Sequence, residues 1–246
     1  SDAERMKTFE IVVDEVNNKL PVLAGVSHSG TIPAIMLAKH AKNVGADGII
    51  VMPAYFDRIE SSLSLHEHFS TILSKVDLPM MIQDAEGETG VHMCPSLYAK
   101  LAEEYSHVVS VKVEGARTAE KIKEIGSLLA DELVIFGGMA AKEMLMELQL
   151  GAKGNIPGSC LTDLLVQVYE HYVTGNANKA KEIFRKYKLW VDFLILNISS
   201  GSEIQKETLR LRGIVKSSYT RSPRVPLKEP DRDELKNVLQ KMGIIP

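Results

Sequence analysis

Six short apolar runs, separated by amphipathic stretches, place the strongest constraint on how this chain can fold. Each run is rich in Val, Ile, Leu or Met, is bounded by turn residues and is too short to form a helix. Continuous apolar runs of this length are typical of strands buried on both faces of a sheet. The six predicted strands cover residues 20–26, 48–54, 79–84, 108–114, 133–138 and 154–159.

Between these runs lie stretches whose apolar residues recur at helical spacing. The first begins with Ser1 and Glu4, which form an S-x-x-E capping box. Because strands and helices alternate along the chain, we expect right-handed crossovers and a parallel sheet. The predicted helices cover residues 3–20, 31–44, 63–76, 95–104, 118–130 and 140–150.

The spacing of the predicted strands fits either a (β/α)8 barrel or a doubly wound sheet. Their centres recur about every 20 to 30 residues, which is the length of one strand–helix unit. No helix opens on the glycine-rich fingerprint of a dinucleotide-binding fold, since neither GVSHSGT at 25–31 nor GSCLTD at 158–163 has that pattern. This absence favours the barrel, the α/β class known as the TIM barrel.

The pattern after the sixth strand is helical, over residues 160–174, 178–196, 202–212 and 231–242. We therefore predict a barrel over residues 1–174 and a helical C-terminal extension, packed on the barrel, over 175–246. A complete barrel has eight strands and this sequence shows six. We expect two further strand–helix units, about 55 residues at this spacing, ahead of Ser1.

Composition excludes several functional classes. No apolar run reaches the roughly 18 residues that a membrane helix needs, and a net charge of −3 provides no basic surface for nucleic acid. The two cysteines, Cys94 and Cys160, are too few for a disulfide scaffold or a cysteine zinc cluster. We expect both thiols to be buried and the protein to be cytoplasmic.

Lys112 is the strongest candidate for a catalytic residue in this sequence. It lies within a predicted buried strand, between Val111 and Val113, where burial disfavours a charged ammonium. A neutral amine in a dry barrel can attack a ketone and form a Schiff base. The alternative is a lysine that points out at the strand edge and pairs with Glu114 or another carboxylate. The pattern alone leaves both interpretations open.

The sequence around Lys112 resembles the Schiff-base lysine strand of the dihydrodipicolinate synthase / N-acetylneuraminate lyase family. Other segments resemble that family in the same order. They are SDAERM at 1–6, LPVLAGV at 20–26, GADGIIVMPAYF at 45–56, LPMMIQDAEGETG at 78–90, VIFGGM at 134–139 and ELQLGAKGNIPG at 147–158. The resemblance covers the whole chain.

The resemblance implies a (β/α)8 barrel with a helical extension, in a homo-oligomer that is a dimer or, as is usual in the family, a tetramer. It implies a lyase that makes or breaks carbon–carbon bonds to pyruvate, or dehydrates 2-keto-3-deoxy sugar acids, through an imine on Lys112. The partner is a 2-oxo acid, with no nucleic acid or membrane, and neither a metal nor a separate cofactor is required.

Three departures from the family pattern bear on the substrate. The family's Thr-Thr turn follows the second barrel strand, a part that this sequence does not contain. Gln83 stands where the family has a proton-shuttling tyrosine. Its amide cannot act as a general acid or base, but it can hydrogen-bond a carboxylate or hydroxyl, so Gln83 is predicted either to take the tyrosine's place in the catalytic site or to be only a polar strand-end residue. Glu86, Gly87 and Glu88 replace the loop that carries a carboxylate-binding arginine in the synthases.

Further site residues follow from the same comparison. Tyr55 aligns with an aromatic residue that reaches into a neighbouring subunit's site, and is predicted to replace the missing tyrosine or simply to pack. Gly137 and Gly138 resemble small residues that leave room for a sugar-acid chain, with a plain turn as the alternative. Substrate contacts are also predicted for Ile156, through its carbonyl, and for the strand-end carboxylates of Asp84 and Glu114.

These features favour a 2-keto-3-deoxy sugar-acid aldolase or dehydratase, because the acidic segment would repel a second substrate carboxylate. Two alternatives remain open. One is dihydrodipicolinate synthase itself, to which the overall resemblance points. The other is a barrel that binds a keto acid without turnover, because Gln83 cannot shuttle a proton.

Overall fold

The structure is a computed structural model that describes residues 1–56, 61–115, 117–129 and 132–246. Its described backbone divides into two compact units. The first comprises Ser1–Met139 and Met146–Asn155, and the second comprises Ala140–Leu145 and Ile156–Pro246. The predicted domain boundary between residues 174 and 175 stays a prediction.

The first unit is built on one parallel sheet whose strands follow each other in chain order. This is the arrangement predicted for the wall of a barrel. Its strands are β1 (Leu23–Gly25), β2 (Gly48–Val51), β3 (Met80–Ala85), β4 (Val108–Glu114), β5 (Val134–Gly137) and β6 (Gly154–Asn155).

Helices connect the strands of this sheet. They are α1 (Asp2–Val16), α2 (Thr31–Asn43), α3 (Ser62–Leu73), α4 (Glu86–Thr89), α5 (Pro95–Glu104), α6 (Thr118–Leu129) and α7 (Met144–Gln149). Apolar side chains such as Ile49, Ile82 and Val111 are fully buried in a continuous core with residues of the helices. The last residue of the predicted helix 118–130 lies outside the described residues.

Among the element ends that differ from the prediction, three have identifiable reasons. Helix α1 has the predicted capping box but stops at Val16, because Asn17 and Asn18 adopt left-handed backbone conformations. Helix α7 starts late because Met139–Ala141 form a left-handed turn. Strand β6 is short, and Pro157 cannot donate to a sheet ladder.

The second unit contains α8 (Thr162–Val173), α9 (Ala177–Leu196), α10 (Gly201–Leu211) and α11 (Glu229–Lys241). Helix α9 buries Trp190, whose indole nitrogen donates to the Thr208 hydroxyl at 2.9 Å. The guanidinium of Arg232 forms ion pairs with Glu203 and Glu207 on α10. The second unit therefore contains the helices that were predicted for this part of the chain.

The two cysteines differ in exposure. Cys160 is buried as expected, whereas Cys94 is exposed at the N-terminus of α5, so the prediction that both are buried is wrong for Cys94. In the described part of the chain, no helix is long and apolar enough to cross a membrane.

Candidate active site

Strand β4 presents Ser110, Lys112 and Glu114 on one face of the sheet, because successive side chains of a strand point to opposite faces. Val111 and Val113 point to the other face and are fully buried in the core. The Lys112 amine lies 2.9 Å from Oε2 of Glu114, and each of these side chains is only 11% exposed. Lys112 is therefore buried and also paired with Glu114, and its role as the Schiff-base lysine stays a prediction.

Gln83 lies beside Lys112 on the neighbouring strand. The two residues are partners in the register of β3 and β4, so their side chains share a face. The amide nitrogen of Gln83 donates to Oε2 of Glu114 at 2.7 Å. The structure thus brings three of the predicted site residues together, with the Glu114 carboxylate at their centre.

The backbone of the turn after β5 donates a hydrogen bond to the other carboxylate oxygen of Glu114. The Met139 N–H donates to Oε1 at 2.9 Å. Met139 has a φ of 46°, a left-handed conformation that costs a non-glycine residue about 1 kcal/mol. The turn therefore holds a strained residue whose N–H contacts a candidate catalytic carboxylate.

Gly138 makes room for this carboxylate. A β-carbon built at this position would overlap the side chain of Glu114. At Gly137 a β-carbon would overlap the pair formed by Glu147 and Asn155, in which the amide donates to the carboxylate at 2.5 Å. The space predicted for a substrate chain at both glycines is thus filled by side chains of the protein itself.

Asp84 does not join this group. It follows Gln83 on β3, so it points to the opposite face, where it is completely buried. Its Oδ2 accepts hydrogen bonds from the Lys121 amine and the Tyr98 hydroxyl, both at 2.6 Å. Burial, followed by the charge of Asp84, raises the pKa of Tyr98. Asp84 is therefore held by Lys121 and Tyr98 behind the sheet, and its substrate contact stays a prediction.

The acidic segment after β3 forms the short helix α4. The Glu86 carboxylate lies 3.2 Å from the His92 ring and 3.6 Å from the Lys121 amine. The hydrogen bond from His92 and the charge of Lys121 lower the pKa of Glu86. Glu88 is exposed. The segment thus keeps its negative charge next to the end of β3.

Two predicted residues are not connected to Lys112 by the structure. Tyr55 lies in the turn after β2 and is 40% exposed, and no hydrogen bond joins it to Lys112 among the described residues. Ile156 follows β6 along the chain and opens the second segment of the second unit. The role of its carbonyl stays a prediction.

Sequence reasoning missed two features that the structure supplies. The Met139 N–H carries no signal in the sequence because every residue except proline has a backbone N–H. The central position of Glu114 was detectable, since a residue two positions after Lys112 on a strand must share its face. Within the described ranges, no group of three His, Cys, Asp or Glu side chains is placed to hold a metal ion.

Comparison with known proteins adds an independent assignment. The model of the "Dihydrodipicolinate synthetase family" matches residues 1–242. The chain belongs to this family. As a member of the dihydrodipicolinate synthetase family, it is a lyase, as the resemblance implied.

Individual family members support the same assignment. The 4-hydroxy-tetrahydrodipicolinate synthase of Methanopyrus kandleri is 32% identical over 251 residues, which cover 100% of this chain and 81% of the relative. The dihydrodipicolinate synthase structure from Aquifex aeolicus is 26% identical with a TM-score of 0.90, covering 99% of this chain and 82% of that one. The Acinetobacter baumannii enzyme, solved in complex with pyruvate, is 26% identical with a TM-score of 0.87, covering 100% and 82%. These similarities confirm the predicted TIM-barrel fold.

Proposed function

We propose that this chain forms an imine between Lys112 and a 2-oxo acid of the pyruvate type, and uses it to make or break a carbon–carbon bond. The observation that carries the proposal is the position of Lys112, a buried amine near the C-terminal end of a barrel strand and in contact with a carboxylate. Barrel enzymes place their reacting groups at this end. The pyruvate complex of the Acinetobacter baumannii relative supports the substrate class.

The chemistry needs no separate cofactor. The amine attacks the keto carbon and water leaves, which produces an iminium ion. This cation withdraws electrons from the neighbouring carbon, so a carbanion there is stabilised. That carbon can then join an aldehyde, or release one in the reverse direction.

The names of the relatives favour the synthase reaction over the sugar-acid reaction that local residues suggested. The Methanopyrus kandleri relative is a 4-hydroxy-tetrahydrodipicolinate synthase, as are other relatives of similar coverage. The first candidate for this chain is therefore the same activity, in which pyruvate condenses with an aldehyde that bears a carboxylate.

One observation keeps a 2-keto-3-deoxy sugar acid as the second candidate. Glu86 and Glu88 place negative charge directly after β3, and like charges repel a second substrate carboxylate. Gly137 and Gly138 no longer add to this argument, because protein side chains fill their space. The homo-oligomeric state and the cytoplasmic location also remain proposals.

The first test is imine trapping. The protein is incubated with pyruvate, reduced with borohydride and analysed by intact and peptide mass spectrometry. We expect a reduced adduct on the peptide that contains Lys112, and none in Lys112→Met. Lys100→Met, which removes an exposed lysine on α5, should retain the adduct. A folded wild-type protein that forms no adduct would overturn the proposal.

A second measurement separates the candidate reactions. Product formation is followed by mass spectrometry with pyruvate plus a carboxylate-bearing aldehyde, and separately with a 2-keto-3-deoxy sugar acid. Product only in the first mixture supports the synthase, and release of pyruvate only in the second supports the sugar-acid aldolase. An adduct on Lys112 with no product in either mixture identifies a binding barrel without turnover.

A further inference from the structure

We propose that Glu114 is the catalytic acid–base residue of this site, carrying the protons that imine chemistry at Lys112 requires. The inference rests on the proposed imine mechanism, and it assigns to Glu114 the proton transfer that the Gln83 amide cannot perform. Its basis is the direct contact of the Glu114 carboxylate with the reacting nitrogen, at 2.9 Å.

The geometry suits direct proton transfer. A general base must lie within hydrogen-bond reach of the proton it takes, about 2.6–3.2 Å between heavy atoms. Oε2 of Glu114 lies within this range of the Lys112 amine, and both side chains are largely withdrawn from solvent. The proton can therefore pass between the two groups without an intervening water.

Other candidate groups are placed elsewhere. The Tyr98 hydroxyl donates to Asp84 on the opposite face of the sheet, and burial raises its pKa. Tyr55 is exposed in the turn after β2. Within the described residues, Glu114 is the titratable side chain that has a hydrogen-bond-length contact with the Lys112 amine.

The carboxylate is also fixed in position. Oε2 accepts from Gln83 and contacts Lys112, while Oε1 accepts from the Met139 N–H. The bare backbone of Gly138 lets the carboxylate approach the turn. A reacting group held on both oxygens keeps its orientation toward the amine. Gln83 thus acts as a positioning residue for Glu114.

The proton steps balance around one carboxylate. Glu114 first takes a proton from the Lys112 ammonium, and the freed amine attacks the keto carbon. The protonated Glu114 carboxyl group gives that proton to the new alkoxide, which becomes a hydroxyl group. The carboxylate then takes a proton from the nitrogen of the intermediate. It passes this proton to the hydroxyl group as the C–O bond breaks. Water and an iminium ion result, with Glu114 again ionised. Glu114 then removes a proton from the carbon next to the iminium, which yields the enamine.

The experiment measures this last step directly. Pyruvate is incubated with the protein in D2O, and exchange of its methyl protons is followed by NMR, because exchange requires both the imine and the enamine. General acid–base groups contribute about 10²–10⁴-fold to rate. We therefore expect Glu114→Gln, which keeps the shape, to exchange at least about a hundredfold more slowly. Glu120→Gln, at an exposed position on α6, should match the wild type.

Chemical rescue distinguishes catalysis from support of the fold. In Glu114→Ala, added formate supplies a carboxylate in the vacated space, and we expect it to restore part of the exchange. Exchange at the wild-type rate in Glu114→Gln would overturn the proposal, as would a loss in Glu114→Ala that formate does not restore. Failure of the wild type to form a borohydride-trapped adduct would instead overturn the imine mechanism itself.

Discussion

The carboxylate of Glu114 occupies the volume that a β-carbon on residue 138 would need. The two residues belong to adjacent strand ends, one closing β4 and the other following β5. The absence of a side chain at Gly138 is what allows the carboxylate to reach the Met139 N–H. Any change at this glycine must therefore displace the group that contacts Lys112.

Substitution Gly138→Ala should reduce imine formation without preventing folding. Displacement of a reacting group by about 1 Å can cost a hundredfold in rate, so we expect a decrease of about that size in the rate of borohydride-trapped adduct formation. The control is Gly126→Ala on α6, where no heavy atom lies within 4 Å of the new β-carbon. It should keep the wild-type rate and stabilise the helix by about 0.5–1 kcal/mol. Equal rates of adduct formation in the wild type, Gly138→Ala and Gly126→Ala would contradict the dependence of the Glu114 position on Gly138.

Substitution Lys121→Met should strongly destabilise the protein. It leaves the completely buried Asp84 without its ion-pair partner at 2.6 Å, and breaking a buried pair in this way costs about 3–5 kcal/mol. Urea unfolding measures the loss. Arg117→Met removes a cation from an exposed pair at the start of the same helix and should change stability little.

A double substitution tests whether the unpaired charge of Asp84 causes this destabilisation. Asp84→Leu combined with Lys121→Met removes both buried charges, so the double variant should be more stable than Lys121→Met alone. If the double variant is the less stable of the two, the unpaired charge is not the cause of the loss.

Acidification should destabilise the protein partly through His68. Burial lowers the pKa of this histidine, which is 3% exposed and hydrogen-bonded to Thr31 at 2.9 Å. The histidine of the unfolded chain, with a pKa of about 6.5, takes up a proton more readily than His68 of the folded protein. The contribution of neutral His68 to the free energy of unfolding is therefore present above that pH and is lost as the pH falls. His68→Asn should therefore show a smaller loss of unfolding free energy between pH 7 and pH 5. Identical pH slopes for the two proteins would contradict this assignment.

The two thiols should react at very different rates. Burial raises the pKa of Cys160 to about 12, and only the thiolate is nucleophilic, whereas Cys94 is exposed. At pH 8 a chromogenic disulfide reagent should modify one thiol quickly in the native protein and the second only after unfolding in urea. Cys94→Ser should abolish the fast reaction, and a fast reaction that persists in this variant would show that Cys160 is accessible.

Much of the sheet was predictable because its strands are buried on both faces and read as continuous apolar runs. The bounds of β4 (Val108–Glu114) and α5 (Pro95–Glu104) match the prediction. The prediction was less accurate where backbone geometry overrides apolar pattern. The left-handed conformations at Asn17 and at Met139 end or delay helices that periodicity alone extends.

The site was predictable to the extent that strand periodicity determines it. Lys112, Gln83 and Glu114 share a face, and Asp84 lies opposite because it is adjacent to Gln83. What fills the space at Gly138 depends on how the Glu114 side chain packs against the turn after β5. Local sequence does not encode that approach, so apolar pattern and spacing alone do not place the Glu114 side chain at Gly138.

The pairing of β3 with β4 has a consequence for how the site withstands partial opening of the protein. Lys112, Gln83 and Glu114 all lie on these two strands, which are in continuous register from Met81 to Ala85. Amides of such central strands are commonly among the last to exchange with deuterium, whereas peripheral elements open at lower free energy. We therefore expect these three residues to share one cooperative unit, so that fraying of the surrounding helices leaves their mutual distances intact.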